Sequence, residues 1–165
     1  MIKDNTVGSR SNVNLAYIAG FLDGDGSLML QIKKRKDGKI KWRFMTTICF
    51  YQDSRHEKPL YWIKKILGIG YISNRNDGIT ELRINGYKQV CMILKDLLPF
   101  LKFKRKQAIS LFNSAEILAS KSCNRLDPKD LRKIVRNILT IQSNNYVTKR
   151  KKDKKELLKT LGLTP

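Results

Sequence analysis

The stretch Ile18-Ala19-Gly20-Phe21-Leu22-Asp23-Gly24-Asp25-Gly26 runs from an almost uniformly apolar segment straight into a strand pattern, and its reading decides the fold. Upstream, Asn12 or Asn14 can cap a short helix over residues 15–22, which the glycines Gly24 and Gly26 bring to an end. Downstream the period changes to two. Leu28, Leu30 and Ile32 fall on one side and Met29, Gln31, Lys33 and Arg35 on the other, as in a strand with one buried face.

Working outward, Lys36, Asp37, Gly38 and Lys39 read as a hairpin turn, and residues 40–51 return with the same alternation. Ile40, Trp42, Phe44, Thr46, Ile48 and Phe50 share one face, expected to be core. Lys41, Arg43, Met45, Thr47, Cys49 and Tyr51 share the other, expected to be polar and cationic. After Pro59 the pattern predicts a short helix and then a second hairpin, whose outward positions include Ser73, Arg75, Glu81 and Arg83. Tyr87 to Leu98 and Ala108 to Leu118 carry helical apolar spacing. A further helix starts with Asp127 as N-cap and Pro128 at its first position, with Leu126 and Leu131 placed for a hydrophobic staple. The basic run after Thr148 and a weak helical pattern read as a partly ordered tail. The fold class is therefore α+β, with two hairpins forming one antiparallel sheet. Residues 1–165 are expected to form one domain: a flexible stretch 1–11, a core 12–120, and a C-terminal helix with basic tail 121–165.

Charge narrows the partner. With 34 Lys+Arg against 14 Asp+Glu, the formal charge is +20, so a polyanion is the natural source of compensation. No apolar run is long enough to span a membrane, and the first residues lack a secretory apolar core, so a soluble intracellular protein of cytoplasm or organelle matrix is expected, neither secreted nor membrane-bound. Cys49, Cys91 and Cys123 are odd in number and have no ligand-like spacing, and His56 is the only histidine; structural zinc and a disulfide framework are not expected. A twisted ribbon can enter the DNA major groove, where Arg and Lys read guanine and Gln reads adenine. The outward residues Met29, Gln31, Lys33, Arg35, Lys41, Arg43, Thr47, Ser73, Arg75, Glu81 and Arg83 are thus candidate contacts to double-stranded DNA, against the plainer alternative of a solvated sheet face.

The chemistry is concentrated at Asp23 and Asp25. An acid-poor chain places two carboxylates at a helix C-terminus, where the dipole disfavours negative charge. A bound divalent cation would offset them, drawing on carboxylate and helix-end carbonyl oxygens; ordinary turn residues between glycines are the alternative. The helix ahead of them repeats small residues at Ala16, Gly20 and Gly24, a strip that lets two helix backbones approach closely. Two such helices would set their terminal acids side by side. One copy of the motif per chain then implies a homodimer.

Residues 18–26 match in order the nine-residue signature of the LAGLIDADG family and lead into an alternating strand as its members do, so the chain resembles a single-motif LAGLIDADG homing endonuclease. The similarity runs from about Asn12 through the helix near Lys104. It implies an αββαββα fold with a saddle-shaped four-stranded antiparallel sheet and additional C-terminal helices. It implies a homodimer joined through Ala16, Gly20, Asp23 and Gly24, with Asp23 as a helix-capping acid. Asp25 with the Gly24 carbonyl resembles the metal site, which would take Mg²⁺ or Mn²⁺, Ca²⁺ binding without supporting cleavage. Gln52 and Lys104 resemble the family's water-organising and phosphate-neutralising residues, though Lys104 can equally be one phosphate contact in a basic cluster. Near the glutamine the family often has a cation, and here Arg55 and His56 stand as alternatives. The activity implied is double-strand cleavage of a long pseudo-palindromic DNA site across the minor groove, leaving short 3′ overhangs, in the service of intron homing. An RNA-splicing maturase, with RNA as partner, a non-cleaving DNA-binding regulator of the same fold, and a basic ribosome-associated structural protein are the rivals.

Overall fold

The structure, a computed structural model, describes residues 10–122, 125–145 and 150–164. The expected flexibility of residues 1–9, Cys123, and residues 146–149 with the first lysine of the basic run lie outside the described residues. Helix α1 (Asn12–Asp25) leads into strands β1 (Gly26–Lys34) and β2 (Trp42–Asp53), a 3₁₀ turn (Ser54–His56), helix α2 (Lys58–Leu67), strands β3 (Tyr71–Asn74) and β4 (Ile79–Asn85), and helices α3 (Tyr87–Leu97), α4 (Arg105–Ser120), α5 (Pro128–Asn144) and α6 (Lys154–Thr160). The αββαββα order and the C-terminal helices match the sequence reading. The cap of α1 does not: Ser11, and neither Asn12 nor Asn14, is the N-cap, its hydroxyl accepting from the Asn14 backbone N–H at 3.3 Å. Both asparagines therefore lie inside the first turn.

The four strands form one antiparallel sheet in the order β1-β2-β4-β3. Register assigns the faces. Gly26, Phe50, Leu82 and Ile72 form one cross-strand row and Leu28, Ile48 and Ile84 the next, on the side covered by helices. Leu15, Ile18, Ala19 and Leu22 of α1 pack there with Ile63 and Leu67 of α2, Ile93 and Leu97 of α3 and Leu111 of α4 in one apolar core. Gly68 ends α2 in the left-handed region, φ 67°, which a residue without Cβ adopts at little cost. Asp127 and Asp130 close a reciprocal capping box at the start of α5.

Two expectations need correction. Positions 46–50 of β2 are buried on both faces, because Thr47 and Cys49 lie in a central strand, Thr47 between Met29 and Asn85 and Cys49 between Ser27 and the long side chain of Arg83. The C-terminal segment, read as a partly ordered tail with a weak helical pattern, is a packed helix over most of its described length: Asp153 caps α6, and Leu157, Leu158 and Leu161 are buried in the same core. Leu158→Ala is accordingly expected to cost roughly 2–4 kcal/mol in denaturant unfolding, the range of a truncated core leucine. A loss below about 0.5 kcal/mol would mean that α6 is not packed in solution. Among the described residues no helix is long and apolar enough to cross a membrane.

Candidate active site and nucleic-acid interface

The end of α1 and the approach to α4 are built as one unit. Asp23 is only 8% exposed, and its carboxylate accepts from the backbone N–H groups of Lys102 (2.7 Å), Phe103 (3.1 Å) and Lys104 (2.9 Å). Those are donors of the turn that starts α4, so one acid satisfies three amides that would otherwise lack partners. Lys104 returns the contact, its Nζ donating to the Asp23 carbonyl at 2.5 Å. The helix-capping role expected of Asp23 is thus met within the chain, at the turn into α4, and the open strip of α1 consists of Ala16, Gly20 and Gly24, all exposed. A Cβ added at Gly20 or Gly24 would meet nothing within 4 Å.

Asp25, two residues on, is exposed at the helix terminus. Lys104 lies within its electrostatic reach: burial lowers the ammonium's pKa, and the charges of Asp23 and Asp25 pull it back up. Asp25 and Lys104 are thus brought together although 79 residues separate them in the chain. Gln52 lies two residues past Phe50, which pairs with Gly26 where α1 gives way to β1; its Oε1 accepts from the Asp53 N–H at 3.0 Å. Arg55 turns back onto Asp53 through Nε (3.0 Å) and Nη2 (2.7 Å), which holds that carboxylate well below the usual range. Its side chain is nevertheless 81% exposed, and His56 beside it is exposed as well.

The opposite face of the sheet carries the candidate DNA contacts in cross-strand rows. Lys33 pairs with Arg43 and Gln31 with Met45; Met29, Thr47 and Asn85 form the next row, then Ser27, Cys49, Arg83 and Tyr71, then Tyr51, Glu81 and Ser73. Lys33 and Arg43 are exposed, as are Arg35 and Lys41, which lie just beyond the strand ends and are joined by a 2.8 Å backbone hydrogen bond. Arg75 is exposed and paired with Asp77 in the hairpin loop. Two candidates are less available than expected. Thr47 is buried and donates to Asn85 Oδ1 at 2.7 Å. Glu81, read as an outward side chain, is 6% exposed and is bound by Arg83. The same centre pushes Cys49 up to about 11 and Tyr51 up to about 12, both chiefly through burial.

The sequence reading missed residues that border this face. Gln31 and Lys33 share a groove with Gln142, Arg150 and Lys152, so the C-terminal segment extends the cationic surface past the free edge of β1. Only the basic run 149–152 hinted at that.

Potential cation ligands are few. Among the described residues no group of three or more His, Cys, Asp or Glu side chains could hold a metal ion. What one chain offers is an exposed carboxylate beside helix-end carbonyls, an all-oxygen donor set suited to a hard cation but incomplete alone.

Residues 18–118, more than half of the chain, match the family described as LAGLIDADG endonuclease. The chain is 36% identical over 96 residues to the DNA endonuclease I-CvuI of Chlorella vulgaris, a match covering 58% of this chain and 60% of that protein. It is 34% identical over 106 residues to the DNA endonuclease I-CreI of Chlamydomonas reinhardtii, covering 64% of each. The matched part therefore spans somewhat under two thirds of these relatives' length. A crystal structure of I-CvuI with its DNA target in the presence of Ca superposes with a TM-score of 0.80 at 29% identity, covering 93% of this chain and 98% of that one. Signature, topology and superposition agree, and the chain belongs to the LAGLIDADG endonuclease family.

Proposed function

We propose that this protein is a site-specific DNA endonuclease that works as a homodimer, requires a divalent cation, and cuts both strands of a long pseudo-palindromic duplex. The observation that carries this reading is the open strip of α1. Ala16, Gly20 and Gly24 are uncovered, flanked on the same side by Val13 and Tyr17 at 65% and 67% exposure, and the strip ends at exposed Asp25 beside Lys104. Large apolar side chains beside a bare backbone strip favour a second helix. A second copy would bring its own Asp25 to the same place and double the oxygen donor set.

In that arrangement Asp25 and the Gly24 carbonyl of each chain hold the cation, Mg²⁺ or Mn²⁺ for cleavage, with Ca²⁺ expected to bind without supporting it. A cation bound there would neutralise phosphate charge and make an attacking water more acidic. Lys104, anchored by the Asp23 carbonyl, offsets charge that develops on the phosphate. Gln52 orients water at the mouth of the site. The sheet face, with Lys33, Arg35, Lys41 and Arg43 as its exposed readers and half-buried Gln31 beside them, locates the duplex, while Arg55, Arg75 and the groove cations Arg150 and Lys152 meet phosphates. Cutting across the minor groove to leave short 3′ overhangs, in the service of intron homing, completes the reading. It places the protein wherever intron-bearing DNA resides.

The test is selection of cleavable sites from a genomic or random duplex library with Mg²⁺ present. The expected outcome is one family of long, roughly two-fold symmetric sites, cut on both strands. Affinity for a recovered site should drop on the order of a thousandfold between about 50 and 200 mM salt, as for a protein that neutralises many phosphates. A protein that shifts RNA in a gel yet linearises no plasmid would overturn the endonuclease reading.

A further inference from the structure

Among the residues that line the sheet's outer face, Glu81 is an acid where the expected partner is an anion. It does not meet solvent: at 6% exposure its carboxylate lies beneath Arg83, whose Nε donates to Oε1 at 2.7 Å and whose Nη2 donates to Oε2 at 3.2 Å. Ser73 Oγ on β3 adds a contact to Oε1 at 3.4 Å, and Cys49 Sγ on β2 one to Oε2 at 3.7 Å. Three strands thus converge on one carboxylate. A glutamate can accept from the cytosine amino group, but here both oxygens are already engaged. Direct base reading by Glu81 would require breaking a bidentate pair.

Arg83 is differently placed, with 30% of its side chain exposed. Both contacts to Glu81 use the Nε/Nη2 edge of the guanidinium, so the Nη1/Nη2 end is the edge left for another bidentate contact. That end matches the O6 and N7 acceptors of guanine. An arginine held before DNA arrives does not lose rotamer freedom on binding, and its remaining donors point in one direction. The pair is also neutral as a unit, so it adds little to the charge-driven attraction that every DNA sequence exerts equally. Strongly oriented donors with little net charge favour discrimination over affinity.

We propose, on the reading that this face binds duplex DNA, that Glu81 is a positioning residue which fixes Arg83 to read one guanine in each half of the target while touching no base itself. Glu81→Gln keeps the shape and removes the charge. The guanine preference should then weaken on the order of tenfold, and binding to unrelated duplex should strengthen, because Arg83 becomes a mobile cation. Arg83→Gln should abolish preference at that same position and leave the others intact.

The experiment is binding selection of the full chain on a randomised duplex library with Ca²⁺, for the wild type, E81Q, R83Q and the double variant E81Q/R83Q, with thermal unfolding run in parallel. The inference predicts one symmetric guanine position flattened in all three variants, the double variant giving the same profile as R83Q. Removing both charges together avoids a buried unpaired ion, so the double variant carries the test even if R83Q, which leaves the buried Glu81 carboxylate without its partner, does not fold. An E81Q profile identical to wild type, or a new lost position in the double variant, would refute the positioning role. An unchanged R83Q profile would refute guanine reading. Sites that are bound and never cut with Mg²⁺ would defeat the endonuclease reading and leave this one standing, whereas failure to enrich any duplex would defeat both.

Discussion

Asp25→Asn is expected to yield a folded protein that binds DNA and cuts it about a thousandfold more slowly or worse. Asp25 is exposed, so its replacement disturbs no packing. It also sits at a helix C-terminus, where a negative charge opposes the dipole; without metal the variant should be more stable than the wild type by a few tenths of a kcal/mol. Loss of activity with a gain in stability is the mark of a residue kept for chemistry. The sheet face is untouched, so affinity for the target should stay within a few-fold when measured in Ca²⁺-free buffer. Plasmid linearisation and a gel-shift titration measure the two quantities, and cleavage by the variant at the wild-type rate would refute the metal assignment.

The second large effect concerns assembly. Gly20→Leu should convert the proposed dimer to a monomer, because a side chain on the bare strip would separate the two helices that the proposal packs backbone to backbone. Within one chain the substitution is harmless: nothing lies within 4 Å of the added Cβ, and replacing a helical glycine gains roughly 0.5–1 kcal/mol of helix propensity. The expected product is a stable monomer that binds a half-site weakly and cuts nothing. Sedimentation velocity reports the mass, and an intact dimer would place the interface elsewhere. Tyr17, edge-on to Trp62 of α2 at 5.6 Å, marks the margin of this surface and should keep that contact in the variant.

How much of this was legible beforehand depended on distance along the chain. The motif helix, both hairpins and the apolar stripes of α3, α4 and α5 follow from periodicity and local punctuation, and the structure keeps them. Asp25 could be singled out because its neighbours in sequence, Gly24 and the helix ahead of it, are also its neighbours in space. The Asp23 cap could not be traced to its donors, since Lys102, Phe103 and Lys104 come about eighty residues later. Glu81 reads as outward on alternation alone, and its register does place it on that face. Its burial arises from Arg83, Ser73 and Cys49 closing over it from three strands, which no single-strand pattern contains. Thr47 and Cys49 fail for the same reason, being central-strand residues enclosed by neighbours on two other strands. The α6 leucines were obscured by the surrounding lysines, although Asp153 caps that helix in the ordinary way.

The central claim is that two copies of α1 pack along their small-residue strips, so that one acid from each reaches a shared cation at the cleaved phosphates. A crystal structure of the protein on its selected site, grown with Mn²⁺ and phased to show anomalous density, tests it most directly. The account predicts Mn²⁺ peaks between the two Asp25 carboxylates and against the DNA backbone, with Gly20 of each chain at the helix crossing. Asp25 side chains far apart, with the ions bound elsewhere, would contradict it.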